Sequence, residues 1–286
     1  MVIYTVKSGD TVYSIADEYG VSVDRLISDN ALIEPANLTI GQALLILFPR
    51  VIHTVQAGET INSVAYIYNT TVINLYQNNP TLINEPILQE GSVIVISYED
   101  NPSKNAMVSG FAYEFINPVI YESALPYLTY AIHFGYGFDE NGEIITINDE
   151  NLIRLAHSYK TGVLLSLTTI NRDGTFGSGK VERLLTDIEF QNMVIRGMIL
   201  EIQRKNAQGL DIDMEYIEPQ FRVEFAEFVG NCTNQLNELG YITHVDLAPK
   251  TSSEQTGLLY KSHDYFLLGN NADYVFLMTY EWGYTY

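Results

Sequence analysis

The sequence predicts an α/β protein in which two small βααβ modules precede a parallel (β/α) barrel. Three features carry that expectation: a duplication within the first hundred residues, strand-like apolar runs that alternate with helix-like stretches after residue 105, and turn-forming Gly, Pro and Asn at the junctions. The duplication comes first, because a repeat defines the units within which every other motif is read.

Tyr4-Thr5-Val6-Lys7-Ser8-Gly9-Asp10-Thr11-Val12 recurs as His53-Thr54-Val55-Gln56-Ala57-Gly58-Glu59-Thr60-Ile61. Ser14-Ile15-Ala16 answers Ser63-Val64-Ala65, Asn30 answers Asn79, and Gly41 answers Gly91, both glycines leading into an apolar run. Each copy therefore predicts a strand, a turn, two helices and a closing strand. In the first copy Val12, Ile15, Ala16 and Tyr19 fall at helical spacing, with Gly20 where a left-handed cap is expected. Ser22 is placed to cap a second helix that carries Val23, Leu26 and Ile27 inward. Ala43-Leu44-Leu45-Ile46 and Val93-Ile94-Val95-Ile96 close the two copies. The modules span 1–48 and 51–98, with Pro49-Arg50 between them, and the polar break Glu99–Asn105 precedes a third domain over 105–286.

In that domain the strand candidates are 108–115, 128–138, 162–169, 209–216, 242–248 and 274–280. Phe190, Met193, Val194, Met198 and Ile202 mark a long helix between the third and fourth, and 224–239 reads as another, closed by Gly240. The pattern fits a (β/α)8 TIM-type barrel in which the chemistry sits at the C-terminal ends of the strands. The chain reaches only the sixth strand, so the expectation is a barrel truncated by two β/α units.

Composition narrows the partners. A formal charge of -20 and a pI near 4.4 exclude nucleic acid and an anionic membrane surface, which such a field repels, but not a neutral glycan. The single cysteine, Cys232, rules out an intrachain disulfide and reads as a buried, inert thiol in a helix. The N-terminus lacks the basic start and apolar run of a signal peptide, which predicts a soluble cytosolic product. The Asn-x-Thr triplets at Asn37, Asn69 and Asn231 are then chance.

The chemistry is expected on the fourth strand. In Gly209-Leu210-Asp211-Ile212-Asp213-Met214-Glu215, strand geometry puts Asp211, Asp213 and Glu215 on one face and Leu210, Ile212 and Met214 on the other. Like charges two residues apart are costly in a low-dielectric setting, and one acid relieves the repulsion by keeping the proton a general acid needs. A surface strand with solvated acids is the plainer alternative; the fully apolar opposite face argues against it. A hard-cation site is the other, and no second acidic or histidine cluster stands out nearby to complete it.

Both copies of the repeat resemble the LysM module, whose Val-x-x-Gly-Asp-Thr opening and Asn…Gly-Gln second loop are present nearly intact. The resemblance implies binding to peptidoglycan or chitin-like N-acetylglucosamine glycans, with Gly9, Asp10, Thr11, Gly58, Glu59 and Thr60 in the first loop of the groove. Two weak modules in tandem gain through effective concentration. The same residues also serve as a turn and helix cap, whatever they bind.

The stretch Gln208–Glu215 resembles the D-G-x-D-x-D-x-E signature of glycoside hydrolase family 18, the chitinase-like enzymes. Met278-Thr279-Tyr280-Glu281-Trp282-Gly283 matches that family's Met-x-Tyr-Asp at the sixth strand, and Leu247-Ala248-Pro249-Lys250 matches its spore-associated branch. Gln208 and Glu281 depart from the pattern, each standing where the family has Asp. A LysM pair ahead of such a barrel resembles spore cortex-lytic N-acetylglucosaminidases. The resemblance implies substrate-assisted cleavage with retention: Glu215 protonates the leaving oxygen while the substrate's own acetamido oxygen attacks the anomeric carbon. Asp213 would orient the acetamide, Asp211 would share proton or charge with Asp213, and Tyr280 would donate to the acetamide oxygen. Met278, Glu281, Trp282 and Tyr113 complete the implied substrate contacts, with Trp282 or Tyr113 stacking on a sugar ring. No cofactor or metal is called for, and a place in the spore coat, cortex or cell wall follows from the resemblance. A non-catalytic wall-binding protein and a metal-dependent phosphodiesterase are the competing functions.

Overall fold

A computed structural model describes residues 1–84, 87–99, 106–171 and 179–279. It divides into two compact units, Met1–Ala106 with Glu122–Tyr127 and Met107–Tyr121 with Leu128–Tyr286.

The first unit holds both repeats. Copy one runs β1 (Val2–Thr5), α1 (Val12–Tyr19), α2 (Val23–Asp29) and β2 (Ala43–Ile46), with the strands antiparallel. Copy two runs β3 (Pro49–Thr54), α3 (Ile61–Ile67), α4 (Val72–Asn78), a further turn α5 (Thr81–Asn84) and β4 (Val93–Tyr98). Thr11 and Thr60 cap their first helices through reciprocal bonds with Ser14 and Ser63, and Gly20 takes the left-handed cap expected of it. In copy two Asn69, at φ 51°, does the work of that glycine, as a short polar side chain can. Pro49 and Arg50 are not a linker: they open β3, where a proline at the first position forfeits no ladder bond. Each copy has its own core, around Ile15, Leu26 and Leu44 in one and Val64, Leu75 and Ile94 in the other.

The repeated asparagines explain how so small a core holds. Asn79 donates to the carbonyls of Leu75 (2.9 Å) and Val95 (2.8 Å) and accepts from the Val95 N–H (2.8 Å), tying α4 to β4. Asn30 makes the same three bonds to Leu26 and Leu45. A side chain that satisfies three buried backbone groups has no equal-sized apolar substitute. Asn79→Ala should therefore cost about 2–3 kcal/mol, read as a lower midpoint in urea unfolding, while truncating exposed Asn62 changes nothing measurable.

The second unit runs β5 (Ser109–Tyr113), the start of α6 (Pro118–Ala124, which the division into units cuts after Tyr121), β6 (Tyr130–Phe138), β7 (Ile144–Ile145), α7 (Glu150–Ser158), β8 (Gly162–Thr168), α8 (Gly179–Thr186) and α9 (Ile188–Lys205). It continues with β9 (Gly209–Asp213), α10 (Arg222–Asn237), β10 (Ile242–Leu247), α11 (Leu258–Lys261), α12 (Tyr265–Asn271) and β11 (Tyr274–Leu277). All six predicted strands are present, parallel and in the order β5-β6-β8-β9-β10-β11. The sheet curls as part of a TIM-type barrel. Its curl brings Phe111 of β5 and Phe276 of β11, on opposite edge strands, edge to face at 5.2 Å. Two details differ from expectation. β7, too short to show a periodicity, adds an antiparallel strand beside β6. β9 ends at Asp213, three residues early, as the chain turns away through left-handed Tyr216 (φ 57°).

Helices pack the sheet through α9 and α10, whose Phe190, Met198, Phe225 and Phe228 are fully buried. Cys232 lies buried among them on α10, where burial pushes its thiol up and keeps it unreactive. Lys205, at the end of α9, bonds Asp149, which also takes hydrogen bonds from His133 (2.7 Å) and Tyr136 (2.8 Å). Burial alone would raise the Asp149 carboxyl, but these three donors outweigh it and hold it below the usual range. Among the described residues no helix is long and apolar enough to cross a membrane.

Candidate functional site

Gly209 opens β9 because nothing larger fits: a Cβ there would lie 2.1 Å from the Ile242 carbonyl oxygen on β10. From that close approach the strand runs with Leu210 and Ile212 buried on one face and Asp211 and Asp213 on the other, and just past its end Met214 is buried while Glu215 lines the pocket. Burial grades along the column. Asp211 is wholly buried, while Asp213 and Glu215, half-buried, line an open pocket of about 350 Å³ together with Phe134, Thr169, Tyr216 and Phe221. That volume lies at the low end of the range for small-molecule sites.

Neighbouring strands complete the polar interior. Parallel register sets Ser166 and Thr168 of β8 beside Asp211 and Asp213. On the other side His244 of β10 is level with Asp211, its Nδ1 4.0 Å from the carboxylate, and its ring meets Tyr130 and Tyr274. Burial pulls the His244 imidazole down to about 4 against the pull of Asp273, so it is neutral at physiological pH. One step further along the same strand comes Asp246, 1% exposed. A histidine and a fourth acid therefore stand beside the column, though among the described residues no group of histidine, cysteine and acidic side chains is arranged to hold a metal ion. Their signal was in the sequence: His244-Val245-Asp246 alternates polar and apolar as Asp211-Ile212-Asp213 does.

Both innermost acids are pushed up. Burial raises Asp211 to about 7, against the stabilising reach of Ser166 and Asp246. Burial also lifts Asp246 well above the carboxylate range, with the charges of Asp211, Asp213 and Glu215 adding to it. Their four carboxyl oxygens meet no well-aligned partner among the described residues, so charge and proton sharing joins the two groups more than tight hydrogen bonding does.

Two side chains brace the strand ends. His263, fully buried, accepts the Ala248 N–H at Nδ1 (2.9 Å) and meets the Met214 carbonyl at Nε2 (3.2 Å). It spans β9 and β10 just below Glu215. Burial lowers its imidazole to about 4, which leaves one N–H for Met214 and one lone pair for Ala248. Gln208, where the sequence signature would have Asp, accepts the Val163 N–H through its amide oxygen (2.6 Å) and so extends the β8 ladder. Neither role was legible, since each joins residues far apart in sequence.

Of the other expected site residues, Tyr113 lies one ring back from the pocket, stacked on Phe115 (5.1 Å) and edge-on to the pocket's Phe134 (5.0 Å). Phe115, 79% exposed beside it, adds an aromatic surface that no sequence motif marks. Met278 is buried and joins β10 through its N–H to Leu247 (3.0 Å). Tyr280, Glu281 and Trp282 lie outside the described residues.

In the repeats, Asp10 accepts from Tyr4 Oη and the Lys7 N–H (both 2.7 Å), and Glu59 takes the matching position, bonded to His53 Nε2 and the Gln56 N–H (both 2.7 Å). The pair Tyr–Asp has become His–Glu with the turn conserved. Gly9 and Gly58 supply its left-handed step, at φ 89° and 79°.

The LysM domain family matches residues 4–47 and 53–97. Over 98% of its length the chain is 35% identical to the cortical fragment-lytic enzyme of Bacillus cereus, of which it spans 66%. It is 31% identical over its whole length to the enzyme of the same name from Bacillus subtilis (strain 168), spanning 67% of it. Its fold follows the crystal structure of the Bacillus megaterium QM B1551 spore cortex-lytic enzyme SleL, with a TM-score of 0.72, 28% identity and coverage of 99% of this chain and 67% of that one. A chitinase from Chromobacterium violaceum ATCC 12472 shares the fold at a TM-score of 0.56 and 16% identity, over 62% of this chain and 57% of that one. The chain thus spans about two-thirds of the curated relatives it matches, and with paired LysM modules ahead of a chitinase-like barrel it belongs to the family of the cortical fragment-lytic enzymes.

Proposed function

We propose that the protein this chain represents hydrolyses peptidoglycan glycan strands of the spore cortex at N-acetylglucosaminide bonds, held to the wall by its LysM modules. The observation that carries this reading is the acid column ending at the pocket: Asp213 at the end of β9 and Glu215 just past it both line the open space, and the other face of the strand is core. Glu215 is the proton donor to the leaving oxygen. Asp213, one step deeper, orients the substrate acetamide, whose oxygen displaces the leaving group to give an oxazolinium ion that water opens with retention. Asp211 supports Asp213 from within the barrel. Tyr280 donates to the acetamide oxygen, Met278, Glu281 and Trp282 shape the same subsite, and Tyr113 with Phe115 offers a ring surface to a more distant sugar. Gly9, Asp10, Thr11, Gly58, Glu59 and Thr60 form the first loops of two glycan grooves. Spore or wall association fits the names of the relatives; the cortex or coat is the finer placement proposed here.

The test is release of reducing ends from purified cortical fragments, with the anomeric configuration of the product followed by NMR. Retention, unaffected by chelator, is expected. Binding to insoluble wall with no release of reducing ends would favour a non-catalytic binding protein, and loss of activity with chelator would favour the metal-dependent alternative.

A further inference from the structure

Four carboxyls meet where the sequence signature accounts for three. Asp246 of β10 is 1% exposed, and one further step along the β9–β10 register brings it level with Asp213. The groups that face it are Asp211, Asp213 and Glu215 from β9 and the residues after it, and the neutral His244 on its own strand; in the register of β11 its neighbour is Phe276. No cation is among these facing groups. Even with Glu215 holding the proton it is to donate, three negative charges are costly in so dry a setting, and the repulsion is relieved when one of the other groups keeps a proton as well. Position decides which. Asp213 and Glu215 open onto the pocket, where water or substrate can solvate them, while Asp246 and Asp211 have no such access.

We propose that Asp246 is a positioning residue for the acid column: it holds a proton against Asp211, so that one negative charge fewer stands behind Asp213 and Glu215. The proposal rests on the hydrolase reading for its meaning, though not for its test. With Asp246 neutral, Asp213 ionises at lower cost, and the anion that Glu215 becomes on giving up its proton meets less repulsion. Asp246 forms no bond with substrate and transfers no proton in the cycle.

The experiment compares wild type with Asp246→Asn, which keeps shape and a donor but cannot ionise. In thermal unfolding of this chain without substrate, the native pair holds more protons than the unfolded chain does from about pH 4 up to and past about 7, because its acids are raised. The stability this proton-holding contributes is complete at low pH and is lost as pH rises through that window, by up to about tenfold in the folding constant per pH unit for one proton. Asp246→Asn should lack the share of that slope that Asp246 carries, while Asp211, raised by its own burial, keeps the rest, so that the variant's stability relative to wild type climbs with pH. Parallel profiles would overturn the proposal, since a packing defect shifts stability equally at every pH. Infrared spectra at neutral pH supply a second readout: wild type should show the carbonyl stretch of protonated, buried carboxyls, and Asp246→Asn should lose the one component that belongs to Asp246 while those of Asp211 and Glu215 remain. A band unchanged in the variant would place the proton elsewhere. In cleavage of cortical fragments, Asp246→Ala should lower kcat by about a hundredfold with KM little changed, and Asp246→Asn should restore it to within about tenfold. Equal loss in both would remove the link to the reaction. The first two readouts need no catalysis, so a failure of the hydrolase reading and a failure of this proposal remain separate results.

Discussion

Glu215→Gln should abolish reducing-end release from cortical fragments, by a factor of about 10²–10⁴, while leaving wall binding as it is. The amide is the same size as the carboxyl and stays on the same backbone, but it has no proton to give to a leaving oxygen, and positioned proton transfer is worth about that factor. The substitution is mild for the fold, because it preserves size and Glu215 lies past the end of β9, where it lines the pocket. Glycan binding is expected to survive because the repeats fold around cores of their own. Full activity in Glu215→Gln, in protein whose unfolding midpoint is unchanged, would remove this carboxyl from the mechanism and the hydrolase reading with it.

Gly209→Ala should act on the scaffold instead, destabilising the barrel unit by about 3 kcal/mol or more. The added methyl would sit 2.1 Å from the Ile242 carbonyl oxygen and 2.9 Å from its carbon, and backbone in the middle of a sheet has little room to give. Gly209 is paired on both sides, with Leu164 of β8 and Ile242 of β10, so the strain enters the strand that carries the acids. For a unit of this size the loss corresponds to a fall of roughly 6–12 °C in Tm. Gly269→Ala, in α12 with its nearest neighbour at 3.9 Å, is the control and should be neutral or slightly stabilising. If both alanines behave alike, close strand approach is not what selects glycine at 209.

Much of this molecule could be read along the chain. The duplication, the caps at Thr11, Thr60, Gly20 and Ser22, and the alternation through Asp211, Asp213 and Glu215 are local patterns, because hydrogen bonds within a turn and the period of a strand involve residues a few positions apart. Strand ends were less legible. The sequence pattern continues to Tyr216, yet β9 stops at Asp213, since the turn at Tyr216 depends on where the rest of the barrel lets the chain go. Pro49 looked like a separator and proved to open a strand, because the feature that permits it, a ladder position with no N–H to supply, exists only once β3 has found β4.

Along the chain one can read which residues alternate, which turn and which repeat, and from these follow two βααβ modules, a parallel α/β domain and one extended stretch carrying three acids. Tertiary structure alone decided what stands beside that strand: His244 level with Asp211, Asp246 behind Asp213, Gln208 completing the β8 ladder, and His263 joining the ends of β9 and β10. The division has a physical cause. Side-chain period is a property of one strand, but the energy of a buried charge depends on every group within a few ångströms of it, and those groups are chosen by register and curl.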